Sequence, residues 1–150
     1  MSTNVTSLRV RATVEGQATV YARQHCFVVG APLQFDGRYA QITALEYALG
    51  AVGADVVNGL RLRARKRRLR LDDVEAVVSG QLNNALTYLG VVGETGHPGL
   101  ERLAVKVYVG SDASEEALRQ LWDETLAASP LVRTFQSALD LDLTMKVLGS

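Results

Sequence analysis

A carboxylate stands inside a long apolar segment: between Leu45 and Val57 only Glu46 and Asp55 carry charge. Burying a carboxylate is costly unless it is paired or hydrogen-bonded. Asp55 is therefore either a site group, as a ligand contact or a general acid or base, or it is held by an arginine or by backbone N–H groups. The sequence weighs these two readings evenly. Other reactive side chains are sparse. Cys26 is the only cysteine, which rules out an intramolecular disulfide and a zinc site of several cysteines. It reads as a small buried hydrophobe in a strand, because its neighbour His25 would point to the opposite face of that strand. His25 and His97 are too few and too far apart in sequence for a metal site, so neither metal nor cofactor is expected. Between Arg61 and Arg70 lie seven of the sixteen basic residues, leaving 9 basic against 16 acidic elsewhere. Such a run can hold phosphates by charge alone. It contains no aromatic residue to stack on bases, so a solvated helix end is the simpler reading and a nucleic-acid-binding module the weaker alternative.

The elements that must position these groups follow from periodicity. Thr43 with Glu46 three residues on makes a capping box for one helix running from Thr43 to about Lys66. Its first half is apolar on nearly every face, which calls for burial on nearly every face. Gly50, Gly53 and Gly59 each cost about 1 kcal/mol of helix propensity, as expected where another backbone packs close. Leu8 to Val14 alternates as a half-buried strand, with Ala18 to Arg23 and His25 to Val29 as its successors. Val74 to Leu82, Leu103 to Val109 and Leu141 to Val147 supply three more strands. Asp112 and Ser114 both qualify as caps for a helix carrying Leu118, Leu121 and Trp122. Ser129-Pro130 opens a shorter helix, with Ser129 as N-cap. Asn83 to Gly99 is a long excursion closed by His97-Pro98-Gly99. The order βββ–α–ββ–αα–β is an α+β fold with a mostly antiparallel sheet. A helix of about 23 residues spans roughly 35 Å, more than this sheet and two short helices can cover, and a homodimer would supply the missing surface.

At 150 residues and 47% hydrophobic content the chain is expected to be a single domain over 1–150 with a real core. The opening Met1-Ser-Thr-Asn-Val shows no signal peptide, and the apolar half-helix is too short and glycine-rich to span a membrane. A cytoplasmic protein is expected.

Phe27-Val-Val-Gly-Ala-Pro-Leu, Phe35-Asp-Gly, Thr43-Ala-Leu-Glu-Tyr-Ala-Leu-Gly-Ala-Val-Gly-Ala, Leu69-Arg-Leu-Asp-Asp-Val-Glu, Leu103-Ala-Val-Lys-Val-Tyr-Val and Ser129-Pro-Leu-Val-Arg-Thr-Phe occur in this order. Together they resemble the OsmC/Ohr family of osmotically induced and organic hydroperoxide resistance proteins. The resemblance implies an intertwined homodimer with two long central helices wrapped by sheets of both subunits. It also implies hydroperoxide reduction by two cysteines, with an arginine and a glutamate orienting the reactive thiolate. A low-pKa thiolate attacks the peroxide to give a sulfenic acid, which the second thiol resolves.

Carried over by that resemblance, the first cysteine falls on Asp55 and the second, just before the proline, on Ser129. The glutamate falls on Leu45, one residue before Glu46. The arginine falls near Gln34, with Arg38 in the same loop as a substitute. None of the four family groups is clearly present, and a carboxylate cannot reduce a peroxide. The expectation is a dimeric, cytoplasmic OsmC-like protein without thiol peroxidase activity, binding a small hydrophobic ligand at its dimer interface. Asp55, Ser129, Gln34, Arg38 and Glu46 are the candidate contacts. The alternative is a non-redox enzyme using Asp55 as general acid or base.

Overall fold

The structure, a computed structural model, describes residues 2–149. Its elements are β1 (Arg9–Val14), β2 (Gln17–Ala22), β3 (His25–Val29), α1 (Ala44–Lys66), β4 (Asp73–Leu82), α2 (Ala85–Tyr88), β5 (Leu100–Gly110), α3 (Glu115–Ala128), α4 (Pro130–Gln136) and β6 (Asp140–Leu148). The predicted α+β order holds, and α2 is an added turn of helix inside the excursion after β4. The chain divides into two compact units, Met1–Ala48 and Leu49–Ser150.

In the first unit β1, β2 and β3 form an antiparallel sheet in that order. Val20 of β2 is buried, whereas β1 is exposed at every position, with Val10 61% exposed. This corrects the half-buried reading of β1: alternation fixes which side chains share a face, not what lies against it. Cys26 is likewise exposed rather than buried, paired with Tyr21 on an edge strand. The Tyr47 hydroxyl donates to the Val28 carbonyl at 2.9 Å, and its ring lies 5.1 Å from that of Phe27. At the helix entry the capping box is complete. The Glu46 amide donates to Thr43 Oγ1 at 3.1 Å, and Thr43 donates its amide and hydroxyl to Glu46 Oε1, both at 3.0 Å. These bonds, the backbone one foremost, hold the Glu46 carboxyl below its ordinary pKa.

In the second unit β4, β5 and β6 form a mixed sheet, with β4–β5 antiparallel and β5–β6 parallel. The link from β5 to β6 carries α3 and α4, as a parallel pair requires a crossover. Alternate residues Leu103, Val105, Val107 and Val109 of β5 are fully buried. With Val52, Val56, Leu60 and Ala64 of α1, and Leu118, Leu121 and Val132 of the later helices, they make one core. The α1 residues in that set recur every four positions, one stripe of a 3.6-residue period. Gly50, Ala51 and Ala54 lie exposed, so the expected burial of α1 on nearly every face is not met within this chain. The close backbone approach that the three glycines implied is not found, and at two of them a side-chain methyl group stands close instead. A Cβ on Gly53 would sit 2.7 Å from Val78 Cγ2, and one on Gly59 3.3 Å from Thr125 Cγ2, while Gly50 faces open space.

The basic end of α1 closes on Arg68, in the left-handed region at φ 57. The Leu69 amide donates to the Ala64 carbonyl at 2.8 Å and the Arg68 amide to that of Arg65 at 3.1 Å. This is the paired 6→1 and 5→2 bonding in which glycine is the usual left-handed residue. Arg68→Gly should therefore stabilise the fold by about 1 kcal/mol, because only the Cβ penalty is removed. The thermal midpoint should rise by roughly 3 °C. An unchanged or lower midpoint would show that the Arg68 side chain itself supports the turn.

Candidate functional site

Asp55 lies on α1 one position before the buried Val56, half-buried at the edge of the core stripe. Facing it is the junction of α3 and α4. Ser129 ends the first helix and caps the second in one residue, with extended φ −78 and ψ 119. Pro130 follows at the first helical position, where its missing N–H costs nothing. Ser129 is 4% exposed, and its hydroxyl has two bonds. It donates to Asp55 Oδ2 at 2.6 Å and accepts from the Val132 amide at 3.1 Å. The same Asp55 oxygen accepts from the Leu131 amide at 3.1 Å. The carboxylate thus sits at the amino end of α4, where the helix dipole favours negative charge.

Between the two readings of Asp55, this geometry favours the carboxylate held by hydrogen bonds, with donors from a serine and a backbone amide rather than an arginine. Both donors converge on Oδ2, which ties the carboxylate to the α3–α4 junction. A buried serine with its hydroxyl committed offers no open nucleophile. The Leu131 amide was not legible in advance, because a backbone N–H has no sequence signal beyond the Ser-Pro start that aims it.

The remaining candidates belong to the first unit. The Gln34 side-chain carbonyl accepts from the Phe35 and Asp36 amides at 3.0 and 3.3 Å, and the Arg38 amide donates to Asp36 Oδ1 at 2.9 Å. The loop is thus bonded to itself. Gln34 and Glu46 line a shared hollow of about 180 Å³ with Phe35, Tyr39 and Gln41, and Arg38 is not part of it. In the second unit a hollow of about 730 Å³ opens between α3 and β6, floored by Leu118, Trp122, Leu143, Met145 and Val147. Neither Asp55 nor Ser129 lines it. Both histidines are exposed, and His97 accepts the Gly99 amide at Nδ1, 3.1 Å away. No group of three or more metal-ligating side chains occurs among the described residues. No helix among them is long and apolar enough to cross a membrane.

A long helix with a mixed β4-β5-β6 sheet, a βαβ return and a side-chain pair at the helix–turn junction defines an α+β class known from solved structures. The chain belongs to the OsmC-like protein family, whose model matches residues 36–144. It is similar in structure to an OsmC-like protein from Mycoplasma pneumoniae, with a TM-score of 0.78 and 16% identity over 97% of this chain and 98% of that one. An organic hydroperoxide resistance protein OsmC from Legionella pneumophila superposes with a TM-score of 0.69 and 12% identity over 96% and 99%. The organic hydroperoxide resistance protein OhrB of Bacillus subtilis gives 0.59 and 14% over 93% and 98%. No curated protein matches the chain by sequence. At these identities the structural likenesses establish the fold. With one cysteine in the chain, the family's cysteine pair is absent.

Proposed function

We propose that this chain is a cytoplasmic, single-domain OsmC-like protein that has exchanged thiol chemistry for a fixed hydrogen-bonded junction. It works as a homodimer that binds a small hydrophobic ligand between its subunits. The observation that carries the loss of thiol chemistry is the 2.6 Å bond between Asp55 and Ser129, the two positions on which the family resemblance places the peroxidatic and resolving cysteines. The side chains meet as the two thiols would have to, and neither can be oxidised by a hydroperoxide.

The homodimer is supported by apolar surface that this chain leaves bare: Leu8, Val10 and Val14 around β1 are 55–61% exposed, and Leu62 on α1 is 54% exposed. A second copy would cover such surface at a gain of about 25 cal/mol per Å². Light scattering at dilute concentration tests the assembly, and the expected mass is twice the chain's 16.2 kDa. Native mass spectrometry of the same material tests the ligand, and a bound apolar molecule released on unfolding is expected. A monomer would remove the dimer. A dimer carrying no ligand, and taking up none of a panel of apolar probes, would remove the binding role alone.

A further inference from the structure

We propose that the C-terminal end of α1 is a binding site for a compact multivalent phosphate anion of the pyrophosphate class. A hollow of about 270 Å³ lies there, lined by Arg61, Arg65 and Arg70 over an apolar floor of Ala64, Leu69 and Leu71. The cations come from two different elements: Arg61 and Arg65 stand one turn apart on α1, and Arg70 arrives from the segment after the helix. The Leu69-to-Ala64 backbone bond fixes that return at 2.8 Å, so the fold and not merely the sequence brings the three arginines to one hollow.

Their charge is not spent within the chain. Among the described residues, Arg67 pairs with Glu124 and Arg70 with Asp72, while Arg61, Arg63, Arg65, Lys66 and Arg68 form no ion pair. The Arg70–Asp72 pair is open to solvent, at 82% and 52% side-chain exposure, and uses only Nε of Arg70. Its terminal nitrogens remain free to donate. Cations in the last helical turn favour the dipole, which accounts for Arg65 but not for Arg61 or Arg70. Like charges at i and i+4 oppose the helix, so Arg61 beside Arg65 costs stability and has no evident folding benefit. Groups that break a local rule without compensation are where a ligand is expected. Guanidinium forks match phosphate oxygens geometrically, and bonds to ionised acceptors are about twice as strong as neutral ones. The size of the hollow and the lack of an aromatic residue to stack on bases favour a small polyphosphate over a nucleic acid strand.

Calorimetric titration of the full chain with pyrophosphate at low salt tests this, with Arg61→Gln/Arg65→Gln as the site variant and Arg119→Gln on α3 as a control. Saturable binding is expected for the wild type and the control. The double variant should bind at least about tenfold more weakly, as the loss of two charge-assisted bonds implies. Its thermal midpoint should equal or exceed that of the wild type, because a like-charge pair is removed, so weaker binding cannot be assigned to misfolding. Absence of pyrophosphate binding by the wild type would overturn the proposal. So would equal affinity in the double variant, or binding of an oligonucleotide where pyrophosphate does not compete.

Discussion

Replacing Asp55 by alanine is expected to lower the unfolding free energy by about 3 kcal/mol, the sum of a lost charged hydrogen bond and a stranded donor. Two donors depend on its Oδ2 oxygen, the Ser129 hydroxyl at 2.6 Å and the Leu131 amide at 3.1 Å. The hydroxyl belongs to a residue only 4% exposed, so water cannot readily replace the carboxylate there. Asp55→Asn keeps an acceptor and should cost about half as much, because only the charge assistance is lost. Ser129→Ala removes the cap of α4 and should cost about 1–2 kcal/mol. The two sites share one bond, so the double variant should be less destabilised than the sum of the singles, by about 1 kcal/mol. Denaturant titration of the wild type and the four variants measures all of this. Strict additivity would mean that the two side chains are not coupled in solution.

Leu60→Ala should be at least as damaging, at about 3–4 kcal/mol within the usual range for a buried leucine. Leu60 has no exposed surface and packs in the cluster that joins α1 to β5, α3 and α4. The lining is already close: even a Cβ on neighbouring Gly59 would lie 3.3 Å from Thr125 Cγ2, and the Thr125 hydroxyl is tied to the Leu121 carbonyl at 2.7 Å. A cavity there has little freedom to collapse, so the transfer and cavity contributions should both be felt. The midpoint should fall by roughly 10 °C. Leu62→Ala on the same helix is the contrast. Leu62 is 54% exposed in the single chain, so its truncation should cost little unless a second copy covers it. A large loss at Leu62 would locate the dimer contact on that face.

Much of this was legible because local chemistry and fold agree. Thr43 and Glu46 announced the helix start, Ser114 and Ser129-Pro130 announced the later two, and the alternation of Leu103, Val105, Val107 and Val109 matched a fully buried strand face. The illegible parts depend on partners distant in sequence. The exposure of β1 and Cys26, and of Gly50, Ala51 and Ala54 on α1, cannot be read from periodicity, which reports a face and not its covering. The parallel pairing of β6 with β5 hangs on a crossover through two helices, and strand pattern alone does not give direction. Of the two caps offered for α3, Ser114 prevailed: its Oγ reaches the Ala117 amide at 3.1 Å. At the site, Asp55 stood out as a lone charge in an apolar segment, and Ser129 came through the family resemblance. That they would bind each other, with the Leu131 amide as a third member, required the tertiary structure.

Loss of cumene hydroperoxide in the presence of a dithiol, compared among the wild type, Cys26→Ser and Asp55→Ala, tests the central claim most directly. The expected result is no turnover above the dithiol background in any of the three. Sustained turnover that persists in Cys26→Ser and disappears in Asp55→Ala would contradict it, because peroxide reduction would then run through a carboxylate that has no thiol to oxidise.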